Sequence, residues 1–267
     1  MGEMKDHKVW EEPMVGKLFG DFYEKAQSGQ LGTKNFIMGN PTRRGWIRSI
    51  RNFVLDGANY AHPGLGPNHY LVVKEPNGSQ GAPLIMEALP ESRMILLIRD
   101  PRDVVASVLD GAREGSWLFE RKDDSRWKER AQADNNPNAY VRKRANVYLR
   151  HAGSAKKAFD AHKGPRVLVR YEDLRADTLG TMRHLYSELR IPVDDGELAR
   201  AVDKRSWENI PEGEKGSGRF YRKGRAGSWR EDLSHGQARI VEEVTAPLLE
   251  EFYPRGATGR GGRSRTS

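Results

Sequence analysis

The 267-residue chain is 37% hydrophobic and 31% charged, with a net charge of +8. That length suits one large α/β domain or two small ones, and the basic balance favours anionic partners such as phosphates, acidic sugars, nucleic acid or a membrane surface. There is no cysteine, which excludes disulfides and thiolate metal sites, and the seven histidines show no His-x-x-x-His spacing, so no metal centre is expected.

Residues 1–12 are polar, and Met1-Gly2-Glu3-Met4-Lys5-Asp6 lacks the apolar core of a signal peptide. No apolar run approaches the ~20 residues that span a bilayer. A cytoplasmic protein without stable membrane insertion is expected. A helix is predicted over 14–27, with Val15, Leu18, Phe19 and Phe22 on one face, then a short strand over 35–38. Gly39–Gly45 reads as a loop, and Trp46, Ile47, Ile50, Phe53 and Val54 recur at helical spacing over 46–56. After a Gly/Pro/His-rich loop, the apolar run from Tyr70 is halted at Lys74-Glu75-Pro76, as in a strand buried on both faces of a parallel sheet. A short helix over Pro83–Leu89 precedes a second buried strand, Met94–Ile98. Pro101–Gly111 is a helix with Asp100 as its N-cap and Pro101 at its first position.

The charged stretch 113–137, with Trp117, Phe119 and Trp127, reads as a lid over an acceptor or as a packed surface segment. Helices are predicted over 138–160, 177–190 and 195–208, and a third buried strand over Arg166–Arg170. A Gly/Arg-rich segment fills 211–230, and Ser234 caps a last helix that reaches Glu251. Strands of this length alternating with helices predict an α/β fold with a three-layer parallel sheet. One domain over 1–253 is expected, followed by a disordered basic tail over 254–267.

Three segments carry chemistry. Arg99-Asp100-Pro101-Arg102-Asp103-Val104-Val105-Ala106-Ser107 follows a strand, so Arg99 lies at the carboxyl edge where open α/β sheets bind ligands. The next helix aims its N-terminal amides at the same place, Arg99 can grip a phosphate with two prongs, and Ser107 can add a hydroxyl two turns on. The bland alternative pairs Arg99 with a carboxylate and bonds Ser107 back to its own helix. Arg222-Lys223-Gly224-Arg225-Ala226-Gly227-Ser228-Trp229-Arg230 supplies positive charge, glycines that allow close backbone approach, and a Trp229 that can anchor the loop by packing. Taken alone it could be an ordinary basic loop. Tyr171-Glu172-Asp173-Leu174 follows the third strand, where Tyr171 can meet a base while the two acids cap the next helix.

Together these segments resemble the sulfotransferases that use 3′-phosphoadenosine 5′-phosphosulfate (PAPS). The Arg99–Ser107 element is similar to that family's 3′-phosphate element, an arginine ending a strand with a serine eight residues later. Arg222-Lys223-Gly224 with Gly227-x-Trp229-Arg230 resembles its C-terminal R-K-G-x-x-G-x-W-K signature, with arginine at the last position. Tyr171-Glu172-Asp173-Leu174 looks like its adenine-side tyrosine segment, and Lys74-Glu75-Pro76 like the strand end whose lysine lies near the sulfuryl group. The resemblance runs through about residues 5–253 and implies a P-loop-NTPase-like sulfotransferase fold. It further implies PAPS as co-substrate, no metal, and a small-molecule, carbohydrate or lipid acceptor.

On that basis Arg99, Ser107, Arg222, Lys223, Gly224 and Trp229 serve the 3′-phosphate, Tyr171 serves adenine, and Lys74 serves the sulfuryl oxygens. The histidine that cytosolic members carry two residues after the lysine is replaced by Pro76. Glu75 is therefore the first candidate base, or else a salt-bridge partner, with Glu11 and Glu12 of Val9-Trp10-Glu11-Glu12-Pro13 next.

The family's phosphosulfate loop should precede Trp10, yet the nine residues before it hold neither a strand nor such a loop. Gly39–Gly45 lacks the Lys-Ser/Thr that should open the next helix and comes too late. A sheet missing its first strand, an N-terminally shortened chain and weak PAPS turnover are the expectations. A nucleotide phosphotransferase is disfavoured because no G-x-x-x-x-G-K-[ST] occurs. Nucleic acid is disfavoured because the cations gather at strand ends and in one loop, without an aromatic RNA motif. A catalytically dead relative that still binds adenosine 3′,5′-bisphosphate (PAP) is the third alternative.

Overall fold

A computed structural model of the chain describes residues 1–28, 42–112, 116, 133–219 and 221–254. The strand expected over 35–38, the first half of the Gly39–Gly45 turn, most of the 113–137 segment and the basic tail lie outside them. The chain divides into two compact units, one of Met1–Ile98 with Arg150–Ile210, the other of Arg99–Leu149 with Pro211–Ser267.

The first unit begins with β1 (His7–Glu11), α1 (Val15–Gln27), α2 (Arg43–Ala61), β2 (Tyr70–Lys74), α3 (Ala82–Ala88) and β3 (Met94–Ile98). After α4 (Pro101–Gly111) in the second unit, the helix α5 (Pro137–Ala161) contributes to both. The first unit then adds β4 (Arg166–Arg170), α6 (Tyr171–Ala176), α7 (Thr178–Glu188) and α8 (Asp195–Lys204). The second is completed by α9 (Trp229–Asp232), α10 (His235–Val244) and α11 (Ala246–Phe252).

All described strands lie in the first unit and pair in parallel. β1 runs beside β2 in the register His7↔Tyr70 to Glu11↔Lys74, and β3 beside β4 from Met94↔Arg166 to Ile98↔Arg170. Parallel neighbours need long crossovers, and helices supply them: α1 and α2 lie between β1 and β2 in the chain, α4 and α5 between β3 and β4. Among the described residues β2 and β3 each have one strand partner, so the continuous sheet expected from the sequence is seen as two pairs.

The strand beginning at His7 corrects the reading that nothing extended precedes Trp10. It reads as polar because its inward side chain at the start is a histidine, where an aliphatic residue would have signalled a strand. His7 is buried, stacks on Tyr70 at 5.1 Å between ring centroids and meets Tyr186 edge-on at 5.6 Å. Burial, then the positive chain terminus, lowers its pKa and favours the neutral ring.

Two other boundaries moved for identifiable reasons. α2 starts at Arg43, inside the expected loop, because the Thr42 side chain accepts from the Gly45 amide at 3.3 Å and caps the first turn. The last helix splits at Thr245, just ahead of Pro247, whose ring lacks a donor and crowds the preceding turn. Asp100 and Ser234 cap as predicted, the latter in a reciprocal box with Gln237.

The first unit has two apolar clusters. One joins Val167 and Val169 of β4 to Leu185, Tyr186, Leu189 and Leu198, and the other packs Trp46, Ile50 and Val54 of α2 against Val15, Leu84 and Ala88. In the second unit, Val105 and Ala106 of α4, Val141 and Ala145 of α5, and Ala238 and Val241 of α10 form the core. No helix among the described residues is long and apolar enough to cross a membrane. Ile50 is 0% exposed and Tyr60, on the same helix, is 91% exposed. Ile50→Ala should therefore cost about 2–5 kcal/mol of unfolding free energy, and Tyr60→Ser less than about 0.5, as read from urea melts.

Candidate active site

The second unit gathers the expected phosphate-binding residues. Arg99 lies between β3 and Asp100, the N-cap of α4, and is held by its backbone: its amide donates to the Tyr148 hydroxyl at 3.2 Å, and that hydroxyl donates to the Arg99 carbonyl at 2.6 Å. Asp100 accepts from the Arg102 amide at 2.8 Å and fixes the first turn of α4. Asp100 also pairs with the Arg102 side chain, which reaches Glu242 on α10 as well.

The C-terminal basic segment is fastened to the same turn. Asp103 is fully buried and accepts from the Gly227 amide at 2.7 Å, the Trp229 amide at 2.9 Å and the Ser228 hydroxyl at 3.3 Å. Hydrogen bonds to a carboxylate are stronger than neutral ones, and a buried acid requires them. The Arg102 guanidinium lies 4.2 Å from the centroid of the Trp229 ring and that of Arg230 lies 4.6 Å from it. Trp229 also packs on the core of α4, α5 and α10. Asp103 was missed in the sequence because an acid in the first turn of a helix is already accounted for by the helix dipole.

Gly224 and Gly227 take left-handed backbone conformations, with φ of 60° and 78°, which explains glycine at both places. Between and beside them the cations meet acids that the sequence did not pair with them. Arg222, its side chain only 8% exposed, donates to Asp232 at 2.5 Å and to the Ser228 hydroxyl at 3.2 Å. Lys223 donates to Asp232 at 2.8 Å and to Glu231 at 2.9 Å, and these two carboxylates raise its pKa. Burial raises the Asp232 pKa, but the Lys223 and Arg222 contacts outweigh it and leave the carboxyl below its ordinary value. Ser107 lies half-buried on α4, one turn beyond Asp103.

The remaining expected residues belong to the first unit. Lys74 ends β2 opposite Glu11 of β1, and Glu11 is exposed. Lys74 donates to Glu12 at 3.1 Å, and the other oxygen of Glu12 accepts from Asn77 at 2.9 Å. Glu12 and Met14 have φ of 47° and 61°, left-handed values that cost L residues energy on either side of Pro13.

Glu75 makes no salt bridge to Lys74, which pairs with Glu12 instead. Both Glu75 carboxyl oxygens are closed to solvent, and among the described residues no donor meets them in full hydrogen-bond geometry, although the amides at the start of α1 lie near. Burial raises the Glu75 pKa, opposed by the Gly16, Val15 and Met14 amides at the start of α1. Tyr171 opens α6, where Glu172 and Asp173 occupy the first turn and Asp173 binds Arg170 through two contacts of 2.7 Å.

A family model described as the sulfotransferase family matches residues 39–195, a range that includes Lys74, Glu75, Arg99, Ser107 and Tyr171. No curated protein matches the chain in sequence. Among solved structures, mouse sulfotransferase SULT7A1 complexed with PAP aligns with a TM-score of 0.50 at 14% identity, over 94% of this chain and 85% of its own. Retinol dehydratase in a complex with retinol and PAP aligns with a TM-score of 0.46 at 15% identity, over 92% and 81%. The family match spans more than half the chain, and the first of these alignments gives the same fold. The chain belongs to the sulfotransferase family and has the sulfotransferase fold.

Proposed function

We propose that the chain transfers a sulfuryl group from PAPS to a hydroxyl or amine of a small-molecule, carbohydrate or lipid acceptor. The observation that carries this reading is the attachment of the Arg222–Trp229 segment to the first turn of α4 through Asp103. That attachment supports the reading, because the two segments that resemble the family's phosphate-binding elements are joined at the first turn of one helix. The PAP bound by the mouse sulfotransferase supports the same donor.

Sulfuryl transfer needs in-line positioning, cations on the developing charge and a base for the acceptor. In this reading Arg99, Ser107, Lys223 and the Gly224 backbone receive the 3′-phosphate. Arg222 braces the segment through Asp232 and Ser228, and Trp229 anchors it. Anion binding replaces the Lys223 contacts to Glu231 and Asp232 by contacts to phosphate. Tyr171 seats adenine, and Lys74, oriented by Glu12, polarises the sulfuryl oxygens. Glu75 is the base, since burial moves its pKa toward the range where a base works near neutral pH.

Titration calorimetry with PAP, ATP and a mixed-sequence oligonucleotide tests the donor assignment. PAP should bind selectively, and Arg99→Ala or Lys223→Ala should weaken it about tenfold or more, as for loss of a charged hydrogen bond. Preference for ATP or the oligonucleotide would contradict it.

The base assignment has a pH signature. A carboxyl with a raised folded pKa stabilises the fold below its ordinary pKa of 4.5, and that contribution is lost as pH rises through the folded value. Glu75→Gln should flatten this loss in melts recorded against pH, and lower PAPS turnover about 10²–10⁴-fold. A flattened profile with unchanged turnover would leave Glu75 as a support for α1 alone.

A further inference from the structure

α4 presents Asp103, Ser107 and Asp110 at positions i, i+4 and i+7, which fall within about 60° of one another around the helix. Asp103 holds the far end of the glycine-rich segment. Asp110 is also buried, and it accepts from the Ser217 hydroxyl and the Gly218 amide, each at 3.1 Å. The segment is thus tied to one helix at both ends.

Reach then decides its shape. Seven residues along α4 separate the anchors by about 10 Å, whereas the stretch from Gly218 to Gly227 could extend to about 30 Å. Tyr221 is held beside Gly216, whose amide donates to the Tyr221 carbonyl at 2.9 Å, so the arch is the shorter stretch that carries Arg222-Lys223-Gly224 from Tyr221 to the Asp103 anchor. Ser107 lies between the anchors on the same face. One anchor also reaches into the arch: Ser228 donates to Asp103 while accepting from Arg222, so Asp103 sets the group that receives the Arg222 guanidinium.

We infer that Asp103 and Asp110 are positioning residues, a two-point clamp that suspends Arg222-Lys223-Gly224 across Ser107 and preassembles the 3′-phosphate site on α4. This rests on the donor-site reading above, and the experiment separates the two.

Asp110→Asn and the milder Ser217→Ala are compared with the unaltered chain, each first confirmed as folded by its melting curve. PAP and adenosine 5′-monophosphate, which lacks the 3′-phosphate, are the titrants. The clamp predicts that Asp110→Asn weakens PAP about tenfold while adenosine 5′-monophosphate changes less than about twofold, with Ser217→Ala in the same direction and smaller. Equal loss for both nucleotides, or none for PAP, in a folded variant overturns it.

Trypsin digestion supplies a readout that needs no nucleotide. Asp110→Asn should speed cleavage after Arg222, Lys223 and Arg225 relative to other sites, and unchanged relative rates also overturn the clamp. If the unaltered chain binds both nucleotides equally, the donor reading fails while the digestion still decides whether the clamp exists.

Discussion

The second unit depends on a carboxylate that has left water. Asp103 is fully buried, and its compensation is two backbone amides and a hydroxyl from a segment more than a hundred residues further along the chain. Hydrogen bonds to charged groups contribute about 1.5–3 kcal/mol each, a large share against a total stability of about 5–15 kcal/mol. The same contacts fix where Gly227, Ser228 and Trp229 sit, and through Ser228 and Trp229 they locate Arg222, Arg102 and Arg230. Stability and site geometry therefore share one set of atoms.

The acids around the basic segment add a second constraint. Asp232 and Glu231 hold Lys223 with its charge intact, and Asp232 also holds Arg222. A loop of unopposed cations would repel itself, whereas the neighbouring acids Glu231 and Asp232 let it close at modest cost. In the first unit energy is spent differently. Glu12 and Met14 accept left-handed backbone conformations, and the turn they form brings Glu12 onto Lys74 and the α1 amides toward Glu75.

Much of this was legible from residue order. The runs at Tyr70, Met94 and Arg166 are apolar enough to declare strands, and Asp100-Pro101 and Ser234 declare helix starts. β1 was not, because its buried end is a histidine whose partners, Tyr70 and Tyr186, come from distant positions. The motifs at Arg99–Ser107 and Arg222–Trp229 were readable as separate elements. Their attachment was not, since Asp103 and Asp110 look like ordinary helix acids until tertiary contacts give each its donors. The ion pairs of Arg222 and Lys223 were hidden for a similar reason: Glu231 and Asp232 follow the motif, where nothing local marks them as partners.

The central claim is that Arg99, Ser107 and the Arg222–Gly224 segment serve a single phosphate. A crystal structure of the chain with PAP tests it most directly. The 3′-phosphate oxygens should lie at hydrogen-bond distance, about 2.7–3.0 Å, from the Arg99 guanidinium, the Ser107 hydroxyl and a donor of Lys223 or Gly224. A phosphate bound elsewhere, with Lys223 still paired to Asp232 and Glu231, would contradict it.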